Sequence, residues 1–123
     1  MIQTQTKLIA ADNSGARFLR CIKVLKGFKN TYGYSGDIVL VSIRKLRLVR
    51  KVQVGEMYFG VIIRTSKESI YKDGSYSSFK SNALVLLNKK KRILSTRIFG
   101  PISKVLRRKK LMRLILMAAY NII

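Results

Sequence analysis

Five short runs of branched and aromatic residues, separated by turn signals, constrain this chain more than any other feature. Arg17 to Leu25 (RFLRCIKVL) is a β-type run ended by Gly27. Asp37 to Arg44 (DIVLVSIR) sets Val39, Val41 and Ile43 on one face. Val49 to Val54 is shorter and ends at Gly55, and Met57 to Arg64 (MYFGVIIR) is apolar enough for a buried strand. Ala83 to Leu87 (ALVLL) reads as a core strand. Runs of this length, spaced by roughly ten to twenty residues, predict a mainly β fold built as a small barrel.

The turns carry their own signals. Gly60, inside an apolar run, predicts a bulge or sharp bend. Asp73-Gly74 predicts a β-hairpin, because that pair tolerates the positive φ angles of a type I′ turn. Asp12-Asn13-Ser14-Gly15 predicts a tight turn held by side-chain hydrogen bonds. Pro101 closes the strand-like region, and Ser103 is placed to cap a helix. From Lys104 onward Leu111, Leu114, Ile115 and Ala118 recur at helical spacing. The length of 123 residues fits one domain, with the barrel over about 1–102 and a short helical C-terminal segment over about 103–123.

Charge then limits the function. Twenty-six Lys and Arg stand against five Asp and Glu, a formal net charge of +21, in a chain that is still 48% hydrophobic. So much positive charge on a folded surface favours a polyanion as partner, and nucleic acid gains affinity from each neutralised phosphate. Three basic runs carry most of the signal: Arg44, Lys45, Arg47, Arg50 and Lys51; Lys89, Lys90, Lys91 and Arg92; and Arg107, Arg108, Lys109 and Lys110, with Arg113 just beyond. Any one such run is ordinarily a solvated face, but three with almost no acid between them point to phosphate contacts. Arg17, Lys23, Arg64 and Lys67 complete the candidate nucleic-acid-binding set. Phe28, Tyr32 and Tyr34 lie among Lys26, Lys29 and two glycines, where they either stack on exposed bases or cover the barrel edge.

The same residues argue against other classes. The chain has no histidine, and Cys21 is its only cysteine, so an internal disulfide and a Cys-based zinc site are excluded. Cys21, mid-strand, reads as a small buried hydrophobe rather than a reactive thiol. Asp12, Asp37, Glu56, Glu68 and Asp73 are scattered, and turn or cap roles account for most of them. We therefore expect no catalysis, no metal, no cofactor and no small-molecule substrate. The N-terminus shows neither a secretory nor a transit pattern, and the longest apolar run, Leu114 to Tyr120, is far short of the ~20 residues that span a bilayer. The expectation is a soluble protein used without removal of a leader and without a membrane partner.

One set of motifs is more specific. Gly60-Val61-Ile62-Ile63, Asp73-Gly74, Phe79, Asn82 and Val85-Leu86 occur at spacings similar to the signature of a universal ribosomal family, the one numbered fourteen in the large subunit. The opening block MIQTQTKLIAADNSGARFLRCIKVL resembles the bacterial-type members, as do Gly36-Asp37-Ile38, Arg64-Thr65 and Thr96 to Pro101 (TRIFGP). The resemblance covers essentially the whole chain. It implies a closed five-stranded β-barrel with a small helical extension. It also implies a structural role, binding large-subunit rRNA near the face that meets the small subunit. Implied partners are neighbouring large-subunit proteins, small-subunit rRNA through an intersubunit bridge, and a factor that prevents premature subunit joining. Thr96, Arg97 and Arg113 are the residues the resemblance assigns to that intersubunit and factor surface.

Departures from the family pattern add basic or apolar character. Leu46 to Val52 lacks the Pro-Gly turn of bacterial relatives, Lys89 to Arg92 stands where they often carry Asn and acids, and the tail 118–123 lacks their proline and acid. With many Ile, Lys and Asn residues, these changes point to a mitochondrial, organelle-encoded ribosomal protein; a bacterial cytoplasm or a plastid is the alternative. A freestanding RNA-binding barrel shares the basic surface but leaves the TRIFGP block without a reason. A cationic membrane-surface protein would need a longer amphipathic helix.

Overall fold

The computed structural model describes residues 1–49 and 51–118. Arg50, and most of the tail compared above, therefore lie outside the described residues. Strands β1 (Lys7–Ala10), β2 (Ala16–Val24), β3 (Ile38–Leu46) and β4 (Met57–Arg64) are followed by a hairpin of β5 (Ser69–Ile70) and β6 (Tyr76–Ser77), then β7 (Ala83–Leu87). Two short helices, α1 (Val105–Arg108) and α2 (Met112–Met117), come last. The sheet closes in the order β1-β2-β3-β4-β7, with every pairing antiparallel except β1 on β7. This is the expected five-stranded barrel with a separate hairpin and a helical extension.

Strand alternation divides the apolar residues between two cores. Leu8, Leu19, Cys21, Val39, Val41, Ile43, Ile62, Leu84 and Leu86 fill the barrel interior. Val61, Ile63, Ala83, Val85 and Leu87 belong to a second core, where they pack with Ile98, Ile102, Leu106 and Leu114. β7 is therefore buried at all five positions, and β4 from Gly60 to Ile63. A strand covered on both faces reads as a continuous apolar run, as MYFGVIIR and ALVLL do.

Several expectations need correction. Val49 to Val54 forms bends and turns rather than a strand among its described residues, and β1 takes the fifth barrel position instead. Backbone donors within and just before that segment reach the β1–β2 turn: Lys51 N–H bonds Ser14 O at 2.8 Å and Arg47 N–H bonds Gly15 O at 2.7 Å. Gly60 marks no bulge, since its ladders on β3 and β7 run in register. A Cβ there would fall 2.9 Å from Leu84 Cδ1 and 3.3 Å from Val85 O, so the glycine permits a close approach across the barrel. The irregularity of β4 lies between Ile62 and Arg64. The Asp73-Gly74 hairpin forms, but only Gly74 has positive φ, and Gly74 N–H bonds Tyr71 O at 3.1 Å. This is a type I turn followed by a left-handed glycine, not type I′. Ser103 stands one residue before the α1 N-cap, Lys104, and its hydroxyl accepts the Val105 N–H at 3.4 Å.

Asp37 ties the barrel to the C-terminal segment. Its buried carboxylate accepts the Tyr34 N–H at 2.8 Å and pairs with Lys109 at 2.5 Å and Lys26 at 3.3 Å. Burial by itself pushes this carboxyl upward, but the Lys109 hydrogen bond, the Tyr34 N–H and both ammonium charges outweigh it and hold it below the usual carboxylate range. A depressed folded-state value means stability that is present above the ordinary carboxylate range and is lost as pH falls through the folded value.

Two measurements check this fold. Asp37→Asn should lower the denaturant midpoint at neutral pH, with the gap to the parent protein closing as pH drops below the carboxylate range. Leu106→Ala, at a fully buried site of the second core, should cost about 2–5 kcal/mol in equilibrium unfolding.

Candidate nucleic-acid interface

The β1–β2 turn builds a platform for the TRIFGP block. Asp12 is fully buried; its carboxylate accepts Ser14 Oγ at 2.5 Å, Ser14 N–H at 3.3 Å and the Leu86 N–H of β7 at 2.9 Å. The turn is thereby locked to the strand that closes the barrel. Asn13, next in sequence, reaches outward: its amide donates to Thr96 Oγ1 at 2.8 Å and its carbonyl accepts the N–H groups of Thr96 at 3.0 Å and Arg97 at 3.4 Å. Ile98 is buried in the second core, while Thr96, Arg97 and Phe99 stay exposed. Phe99 N–H bonds Ala11 O at 2.7 Å, so the block runs alongside the turn.

Arg64 braces the far end of this block. Its Nη1 donates to Phe99 O and Pro101 O, each at 3.0 Å, and Gly100 between them is in the left-handed region where a Cβ would collide with the guanidinium. Burial pushes the Arg64 value down from that of a free guanidinium. Arg64 was expected among the RNA contacts; here its guanidinium is engaged inside the protein and half-buried.

The other predicted cations sort into groups. Arg17, Arg47 and Lys51 converge on one open cleft that also touches Phe99 and Leu48. Lys23 lies beside the loop that carries Phe28 and Lys29. Phe28 is almost fully exposed, and Lys26 lies 5.2 Å from the centre of the Tyr34 ring. Lys67 is exposed just after β4. Lys89 to Arg92 form an exposed turn in which the Asn88 side chain accepts the Lys90 and Arg92 N–H groups at 2.9 Å. Arg107, Arg108 and Lys110 are exposed at the end of α1, Lys109 there is held by Asp37, and Arg113 is exposed on α2. Arg44 and Lys45, at the end of β3, face a different cleft from Arg47 and share it with Lys7 and Arg20. Lys7 and Arg20 escaped the sequence reading; the alternation of Phe18 and Arg20 against Leu19 and Cys21 in β2 places Arg20 on the outer face, but gives no signal for Lys7.

Almost none of this charge is compensated internally. Among the described residues Lys26 and Lys109 alone form salt bridges, both with Asp37. Asp73 bonds Ser75, and Glu56 accepts the Tyr58 hydroxyl at 2.5 Å, a bond that, with burial and the Glu56 charge, leaves the phenol pushed up to about 12. No three acidic or cysteine side chains converge into a metal-binding group among the described residues. No helix of the described residues is long and apolar enough to cross a membrane.

A family model described as Ribosomal protein L14p/L23e matches residues 1–122. The chain belongs to that family. Members of the L14p/L23e family are structural proteins of the large ribosomal subunit rather than enzymes, and membership implies rRNA and ribosomal proteins as partners. The platform and the uncompensated cations are thus features of an L14p/L23e protein and set its surface chemistry.

Two substitutions separate the platform from the charge. Asn13→Ala should speed amide exchange at Thr96 and Arg97 while the β2–β3 ladder keeps its protection. Lys91 occupies the left-handed region at φ 58°, at a cost of about 1–2 kcal/mol for a side-chain-bearing residue. Lys91→Gly should therefore raise stability by about 1 kcal/mol while removing one cation from the Lys89–Arg92 turn.

Proposed function

We propose that this protein is held in the large subunit by phosphate contacts to large-subunit rRNA and presents the Thr96–Arg97 platform at the face that meets the small subunit. The observation that carries the reading is that, among the described residues, no exposed cation except Lys26 and Lys109 has an internal acidic partner, so a polyanion is the fitting source of counter-charge. Arg17, Lys23, Arg44, Lys45, Arg47, Lys51, Lys67, the Lys89–Arg92 turn and the end of α1 are the contacts we assign to rRNA. Arg50 belongs to the same run by sequence. Thr96 and Arg97, with Arg113, are assigned to an intersubunit bridge with small-subunit rRNA and to the docking of an anti-association factor. The fixed geometry of the platform supports this role, because Asn13 and Arg64 hold its backbone before any partner arrives.

The ribosome served is, in this reading, mitochondrial. Support comes from the Lys- and Ile-rich composition and from basic residues where bacterial-type members are neutral or acidic. Copurification of the tagged protein with mitochondrial large subunits tests it; recovery with bacterial or plastid ribosomes instead would overturn the compartment but not the function.

Energetics give a sharper check. With ~6–10 phosphate contacts, affinity of the isolated protein for large-subunit rRNA should fall roughly 10³–10⁵-fold between 50 and 200 mM salt, by analogy with duplex DNA. A salt-independent affinity would contradict the phosphate reading. Arg97→Ala should leave incorporation into large subunits intact and weaken subunit joining roughly tenfold, as expected for one lost charge-assisted contact of about 1.5 kcal/mol.

A further inference from the structure

The outer side of β1, β2 and β3 shows a juxtaposition that barrel stability does not explain. Lys7 of β1 and Arg20 of β2 are direct cross-strand partners, and like charges so placed oppose the pairing. Arg20 Nε is buried with no hydrogen-bond partner among the described residues, an unsatisfied donor on a cation. One position further along, a register shift sets Phe18 against Lys45 while Leu19 pairs with Ile43. Arg44 and Lys45 therefore both stand against the Phe18 position, the re-aiming that a bulge produces. The result is a cleft of about 350 Å³ lined by Lys7, Phe18, Leu19, Arg20, Arg44 and Lys45, with no acidic side chain in it.

Phe18 is 37% exposed in this cationic surround, and the Arg17 guanidinium lies 5.3 Å from its ring centre. An aromatic ring and a guanidinium plane together start a stack that a nucleobase extends. A base paired inside a duplex has no free face to offer such a stack, whereas a splayed base does.

We propose that this cleft is a subsite for one unpaired nucleotide of RNA, with Phe18 stacking on the base and Lys7, Arg20, Arg44 and Lys45 taking the flanking phosphates. The inference rests on the rRNA-binding reading above and adds the kind of RNA element recognised there. The cross-strand repulsion between Lys7 and Arg20 is relieved by a phosphate bound between them.

The chain contains no tryptophan, so Phe18→Trp creates a single fluorescent reporter at the stacking position. The probes are a single-stranded RNA oligonucleotide and an abasic strand with the same number of phosphates. The base-bearing strand should quench Phe18→Trp on binding, and the abasic strand should bind without quenching. Phe18→Ala should weaken binding of the base-bearing strand about 5–150-fold, corresponding to about 1–3 kcal/mol for one stacked base, and leave the abasic strand unaffected. Arg20→Met should lower the logarithmic salt slope for both strands by about 0.7. If Phe18→Ala unfolds the protein, the quenching of Phe18→Trp still decides the question.

Unquenched Phe18→Trp, with the parent protein still binding RNA in a steeply salt-dependent way, would overturn the subsite and leave the rRNA reading standing. Failure of the parent protein to bind any RNA at low salt would overturn both.

Discussion

The structure depends on the burial of β4 and β7 from both sides. Their inward residues Ile62, Leu84 and Leu86 complete the barrel, and their outward residues Val61, Ile63, Val85 and Leu87 form the floor on which Ile98, Ile102, Leu106 and Leu114 pack. Each fully buried aliphatic side chain contributes about 1.5–3 kcal/mol, and both cores draw on the same two strands. The C-terminal segment is thereby committed to one side of the barrel. The outer side of β1, β2 and β3 stays uncovered and carries Lys7, Arg20, Arg44 and Lys45.

That division explains how a chain with a net charge of +21 folds. The apolar residues are concentrated where two layers meet, and the acids are placed for structure rather than for charge balance. Asp12 locks the first turn to β7 through the Leu86 N–H, and Asp37 joins the barrel to α1 through Lys109. Arg64 is also internal, bracing Phe99 and Pro101. The remaining described cations have no internal acidic partner, and membership of a large-subunit ribosomal protein family implies rRNA, a phosphate-rich polymer, among the partners.

Much of this was legible in the sequence. β2, β3, β4 and β7 follow the branched runs closely, because those residues fill cores from within long ladders. β1 was not legible: four residues, KLIA, carry too little pattern, and its place is set by partners on both edges, Leu19 opposite Leu8 on one side and Leu84 opposite Ala10 on the other. Val49 to Val54 misled in the opposite direction. Its valines suggest a strand, but only Val52 is buried, and the N–H groups of Lys51 and of nearby Arg47 donate to the Ser14 and Gly15 carbonyls instead of a strand partner. Within the candidate site, exposed basic runs were visible as runs. The internal engagement of Arg64 and Lys109 was not, since each depends on a partner at least 35 positions away in sequence. Arg20 was hidden for another reason: it lies outside every basic run, and only the register with Lys7 gives it meaning.

We propose that the uncovered cationic surface meets RNA in the assembled subunit. Lysine acylation read by mass spectrometry, comparing the free protein with the protein in intact large subunits, tests it most directly. Lys7, Lys45, Lys51 and the Lys89–Lys91 turn should react readily in the free protein and lose most of that reactivity in the subunit, regaining it when the rRNA is digested. Equal reactivity at these lysines in the free and assembled protein would mean that this surface does not meet RNA.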